Sequence, residues 1–220
     1  DFPSAQYNQV KNNPKYKNNS IKLEFYIVST GLAEIIRGSI VSQHVDGIWG
    51  CEFIENPALP GYLERPQEAA GGARQISQIG YVIDNTSKTR ALFEINKGSN
   101  KEPSIDVNSR MREEERRVPF RNMIYIGDGP SDVPAFSVVK KNGGKTYAVY
   151  NREKEEEFQQ VIRLLEDGRI DAYGEANYGG MSQVVMWLKM QVTQIAERIC
   201  AERERVFNEI VSLPPRHLNS

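Results

Sequence analysis

Hydrophobic and polar positions along this chain fall into blocks that predict strands and helices in turn. Leu23 to Val28 (Leu-Glu-Phe-Tyr-Ile-Val) is a short aromatic and β-branched run ending at Ser29-Thr30-Gly31, which predicts a strand. Directly after it, Leu32, Ile35, Ile36 and Ile40 recur at helical spacing. Strand, tight turn and helix in that order form the basic parallel α/β unit. Ile48 to Ile54 supplies a second short strand, and 56–80, rich in Pro and Gly and without a period, reads as a loop. Thr86-Ser87 resembles a helix N-cap; Ala91, Leu92 and Ile95 follow on one face, and Asn96-Lys97-Gly98 closes the helix.

Residues 99–118 are polar and charged and read as an exposed connection. Met123 to Ile126 is apolar throughout, as expected of a strand buried on both faces. A helix over Val133 to Val139 follows, Asn142-Gly143-Gly144 closes it, and Thr146 to Tyr150 supplies another strand. Val184, Val185, Leu188, Val192, Ile195 and Ile199 keep helical spacing, predicting one or two long amphipathic helices between Met181 and Val211. The expected architecture is a Rossmann-like α/β sandwich of three layers around a mostly parallel sheet, with C-terminal helices. Its expected divisions are a linker or loop over 1–20, a core over 21–151, and a helical extension over 152–220 packed on that core.

Length and charge narrow the functional classes. At 220 residues there is room for one full core, or for one domain with an appendage. The formal net charge is −1, so no strongly basic, nucleic-acid-binding surface is expected. The basic cluster Arg110 to Arg117 is interrupted by Glu113, Glu114 and Glu115 and reads as a solvated segment. Cys51 and Cys200 stand far apart without a Cys-x-x-Cys pairing, which argues against a disulfide scaffold or structural zinc and fits a cytoplasmic location. No apolar run reaches the roughly 18 residues of a membrane span, so no membrane partner is expected. Asp-Phe-Pro-Ser has neither signal-peptide features nor an initiator Met, and the expectation is a chain that begins partway through a longer product.

The densest chemistry lies in Ile124-Tyr125-Ile126-Gly127-Asp128-Gly129-Pro130-Ser131-Asp132. The predicted strand delivers Asp128 at its carboxyl end, where open α/β sheets place ligand sites. Gly127 and Gly129 allow a sharp turn and a close backbone approach. Asp132 lies near the start of the next helix, and two close carboxylates repel unless a cation or proton sits between them. Hard oxygen ligands favour Mg2+. The competing reading is a simple turn in which Asp132 caps a helix. The Ser29 hydroxyl with the amides of Thr30 and Gly31, set at a helix start, would cradle phosphate oxygens; the alternative is that Ser29 is an N-cap and no more. Lys88 opposes the dipole of the helix it begins, so its position calls for a reason. Offsetting phosphate and carboxylate charge is one, and a solvated surface lysine is the other.

In this order the three segments resemble the haloacid dehalogenase superfamily of hydrolases, close to its phosphoserine-phosphatase-like branch. That family's strand ending in Ser or Thr is matched by Ser29 in Val-Ser-Thr-Gly, and its Lys at a helix start by Lys88 in Thr-Ser-Lys-Thr-Arg-Ala-Leu. Its acidic pair after a strand is matched by Asp128 and Asp132; Lys97, at a helix end, is a weaker candidate for the lysine. The resemblance spans roughly residues 21 to 151. It implies a Mg2+-dependent phosphomonoester phosphatase acting on a small phosphorylated metabolite. Asp128 and Asp132 would hold the metal, Ser29 and Lys88 would be catalytic, and Thr30 and Gly31 would join them around the phosphate.

The family's first motif, an Asp-x-Asp after an N-terminal strand, occurs nowhere in the chain, and no strand precedes Asp1. In the family its first Asp attacks phosphorus, and its second acts as general acid and then as base. Either that motif and a helical cap lie upstream in a longer product, or the protein is a catalytically inactive phosphate-binding or scaffolding module. The first is the expectation, with an aspartyl-phosphate formed by in-line attack from the upstream Asp. The C-terminal helices offer a surface for homo-oligomerisation. Tyr173, Tyr178 and Trp187 either close over the site or pack as a helix face.

Overall fold

A computed structural model describes residues 2–55 and 76–211. In chain order it contains α1 (Phe2–Asn12), α2 (Pro14–Asn18), β1 (Tyr26–Leu32), α3 (Ala33–Arg37), β2 (Gly47–Glu55), β3 (Ile76–Tyr81) and α4 (Lys88–Lys97). There follow β4 (Ile124–Gly127), α5 (Val133–Lys141), β5 (Lys145–Tyr150), α6 (Glu155–Glu166), β6 (Ala172–Glu175) and α7 (Gln183–Val211). The fold is α/β, with helices flanking parallel strands and a long helix at the C-terminal end. Strands β4, β5 and β6 form one parallel sheet in that order, with Ile126 beside Tyr147 and Tyr147 beside Ala172. In the other sheet β1 runs parallel to β2, and β2 turns back antiparallel to β3.

Alternation along β5 shows why the first sheet is the core. Ala148 faces Tyr125, Phe136, Val139, Val161, Leu164 and Ile170, with Leu92 and Ile95 of α4 in the same cluster. Tyr147 and Val149 point to the opposite face and pack against Val184, Val185 and Leu188 of α7. A strand covered on both faces needs the near-continuous apolar run that β5 carries.

Several expectations are corrected. Residues 1–20 are no loop: α1 and α2 occupy most of this stretch, and Val10 and Tyr16 dock on Ala196 and Cys200 of α7. Short polar helices of this kind are marginal alone and hold through such packing. The predicted loop over 56–80 ends in strand β3, and its part over 56–75 lies outside the described residues. The helix expected from Leu32 is only five residues long, and Ile35 and Ile40 are exposed rather than packed. The core does not stop at 151, because α6 packs on it and β6 completes its sheet. The tail is one helix, α7, and no helix among the described residues is long and apolar enough to cross a membrane.

Candidate functional site

At the carboxyl end of β4 the chain folds back through a single 3-10 turn, Pro130–Asp132, into α5. This brings the Asp132 carboxyl over Gly127, where a Cβ would lie 2.5 Å from Asp132 Cγ, so only glycine fits. Asp132 is buried. Its Oδ1 accepts from the Lys88 ammonium at 2.7 Å and from the Tyr125 hydroxyl at 2.6 Å, and its Oδ2 accepts from the Asp128 amide at 3.1 Å. Lys88 also donates to Ser131 Oγ at 3.0 Å. The side chains of Lys88 and Asp132 are 6% and 5% exposed, so this is a buried ion pair. Such a pair repays its desolvation only when the remaining valences are met, as they are here by Tyr125, Ser131 and a backbone amide.

Asp128 differs from its neighbour in reaching solvent. Its pKa is nevertheless raised, first by the desolvating walls around it and then by the negative charge of Asp132. A carboxylate held in that state gains from a cation, and its hard oxygens suit Mg2+. Asp128 is therefore open to a ligand, whereas Asp132, engaged by three donors, anchors Lys88 and the loop. Among the described residues no group of three or more His, Cys, Asp and Glu is placed to hold a metal ion. Burial, followed by the charge of Asp132, pushes the Tyr125 phenol far above its ordinary range, so it remains a proton donor to Asp132.

The helix start that presents Lys88 is capped differently from the Thr86-Ser87 expectation. Ser87 makes no side-chain cap bond to α4. Instead Asp84 Oδ1 accepts from the amides of Thr86 (2.9 Å) and Ser87 (2.6 Å) and from the Ser87 hydroxyl (2.8 Å). These bonds hold the Asp84 carboxyl below its usual pKa.

Ser29, Thr30 and Gly31 lie within β1, at the irregularity between Val28 and Leu32, and not at the start of a helix. Ser29 Oγ accepts from the Gly31 amide at 3.0 Å, so that amide is already engaged. Of the three groups expected to form the cradle, the Gly31 amide is thus turned onto the Ser29 hydroxyl. Ser29 makes no hydrogen bond to Lys88, Asp128 or Asp132 among the described residues. It does share an edge of the molecule with them. Cys51 Sγ donates to Thr30 O at 3.2 Å and accepts from the Ile83 amide at 3.4 Å, and Ile83 enters the turn that begins α4.

Tyr125 and Ser131 escaped the reading of the sequence as site residues. The only available signal for Tyr125 was a hydroxyl in an otherwise aliphatic strand, on the same face as Gly127. Tyr178 is exposed, and its phenol pKa is raised, first by desolvation and then by the charge of Asp128, while Tyr173 and Trp187 pack against Tyr150 and Tyr147. Lys97 donates to Val107 O and Ser109 O and takes no part.

No protein-family model matches the chain, and no solved structure matches it. The sequence is 34% identical over 191 residues to a protein of Borreliella burgdorferi described only as uncharacterized. That match covers 86% of this chain and 61% of the relative, so the chain spans about three-fifths of the relative's length.

Proposed function

We propose that this chain supplies the metal- and phosphate-facing part of a Mg2+-dependent phosphomonoester phosphatase of the haloacid dehalogenase type. Its substrate is a small phosphorylated metabolite. The observation that carries the reading is the buried Lys88–Asp132 pair beneath Asp128, which joins two segments 44 residues apart that the resemblance singles out separately. A lysine built into a carboxylate site at the end of a parallel strand suits a dianionic ligand better than it suits stability alone. Asp132 and Ser131 hold the Lys88 ammonium in place, Tyr125 donates to the same Asp132 oxygen as Lys88, and the Asp128 amide satisfies the other. Asp128, with Asp132 behind it, would hold Mg2+, which neutralises phosphoryl oxygens when bound. The nucleophilic aspartate belongs to a segment outside these 220 residues. Free Cys51 and Cys200 fit a cytoplasmic setting.

A second reading, a phosphate-binding module without turnover, is favoured by the absence of an Asp-x-Asp. Assay of the full-length protein on a panel of phosphomonoesters, with Mg2+ and with chelator, separates the two. Mg2+-dependent hydrolysis is expected, and Asp128→Asn should lower it at least about 100-fold while leaving the melting temperature intact. Undiminished Mg2+-dependent turnover in that variant would sink the assignment, and phosphate binding without hydrolysis by the wild type would favour the second reading.

A further inference from the structure

Strand β4 is apolar but for one hydroxyl. Ile124 and Ile126 lie on its α7 face, whereas Tyr125 and Gly127 lie on the other, toward α5. Tyr125 is 8% exposed, and its ring meets Phe136 of α5 edge to face, with the centroids 5.4 Å apart. A phenyl ring would fill this place equally well and would leave no hydroxyl to desolvate. The hydroxyl donates to Asp132 Oδ1 at 2.6 Å. Two residues of a parallel strand span roughly 6.6 Å, so a tyrosine leaning along the strand reaches the level of Gly127. The missing Cβ at Gly127 is what lets the Asp132 carboxyl approach closely enough to meet it.

An ionised carboxylate offers about four lone-pair sites, two on each oxygen. On Asp132 Oδ1 both are taken, by the Lys88 ammonium at 2.7 Å and by the Tyr125 hydroxyl. On Oδ2 the Asp128 amide takes one, at 3.1 Å. The valence left over therefore belongs to Oδ2, the oxygen beside Asp128. Nothing covalent fixes this choice, because the terminal torsion of an aspartate is broad and a half-turn exchanges its oxygens. Lys88 alone does not fix it either, since an ammonium presents three rotatable donors and this one is shared with Ser131 Oγ at 3.0 Å. Of the side chains that reach Asp132, Tyr125 is the one held rigid by packing, against Phe136 and the core.

We propose that Tyr125 is a positioning residue for the candidate cation site. Its hydroxyl holds the Asp132 carboxylate so that Oδ1 is occupied inward, by Lys88 and the phenol, while the free valence of Oδ2 stays beside Asp128. That sets an available oxygen of the buried aspartate next to the exposed one, a pairing favoured by a hard divalent cation such as Mg2+. The inference rests on the metal part of the function proposed above and adds to it a residue that stands behind the aspartates.

Titration of the full-length protein with Mn2+ as a spin probe for the Mg2+ site, without substrate, tests it. Tyr125→Phe keeps the ring and removes the hydroxyl, and it should bind Mn2+ on the order of 10- to 100-fold more weakly than the wild type. Phe136→Leu loosens the packing of the same ring and removes no hydrogen bond, and it should bind Mn2+ as the wild type does. Unchanged affinity in Tyr125→Phe overturns the proposal, and so does an equal loss in Phe136→Leu, which would assign the effect to packing. A wild type that binds no Mn2+ overturns the proposal together with the metal site. Weakened binding in Tyr125→Phe beside a wild type that hydrolyses no phosphomonoester upholds the positioning role and removes the phosphatase reading. A Mg2+-dependent wild-type phosphatase whose Tyr125→Phe variant binds Mn2+ normally does the reverse.

Discussion

The β4–β5–β6 sheet and the β1–β2–β3 sheet draw on similar residues and reach different states. Thr146, Tyr147 and Ala148 of β5 are inaccessible, covered on one side by α5 and α6 and on the other by α7. In β1 no residue is fully buried, and in β2 only Gly50 is. Ile54, Ile76, Ile79 and Tyr81 of the second sheet face outward. The difference lies in the crossovers. A parallel sheet is buried by the helices that connect its strands, and α5 and α6 are long enough to cover two strands each. Between β1 and β2 the chain offers only the five residues of α3 and a 3-10 turn, so among the described residues little covers the apolar side chains on the side away from the core. The candidate site belongs to the well-covered sheet, and α4 is the clasp that joins it to the other.

Breaking the clasp should have the largest effect. Lys88→Met leaves the Asp132 charge buried without its cation, which costs about 3–5 kcal/mol. Urea denaturation measures this, and adding Asp132→Leu to the same chain should recover a large part of the loss. A Lys88→Met protein as stable as the wild type would mean that the pair is not buried in solution, and α4 would then not be the clasp.

The contrast between the sheets is sharpened by one substitution made in each. Ile170→Ala empties a site that is 1% exposed beside Leu164 and should cost about 2–5 kcal/mol. Ile79→Ala, at a site 66% exposed, should fall within about 0.5 kcal/mol of the wild type. Equal losses in the full-length protein would show that something covers β3 there.

How much of this was legible in the sequence follows from where the burial comes from. Strands β4 and β5 and helices α4 and α5 announce themselves because each buries its own apolar period. Strand β6 does not: Ala-Tyr-Gly-Glu has no such pattern and becomes a strand only by pairing with β5. The first two helices were hidden because Val10 and Tyr16 are too widely spaced to show a period, and the surface they need is about 180 residues away on α7. Lys88, Asp128 and Asp132 could be singled out as residue types. Their division of labour could not, because it depends on Asp132 turning inward to Lys88 and Tyr125 while Asp128 turns outward. The turn at Ser29 and an N-cap serine look alike until the following helix proves too short.

The smallest effect concerns the turn that aims Lys88. The Asp84 carboxylate accepts from Thr86 and Ser87, and its pKa is lowered first by the Ser87 amide and hydroxyl. A carboxylate with a depressed folded-state pKa binds its proton more weakly folded than unfolded. Its contribution is therefore complete above the unfolded value, about 3.9, and is lost as the pH falls through the folded one. Asp84→Asn keeps an acceptor oxygen and discards the charge. It should melt slightly below the wild type at neutral pH, and the two curves should begin to converge as the pH falls below about 4 and meet below the folded-state value. A gap that persists in acid would mean that shape and not charge holds the turn, and the placement of Lys88 would then owe nothing to Asp84 ionisation.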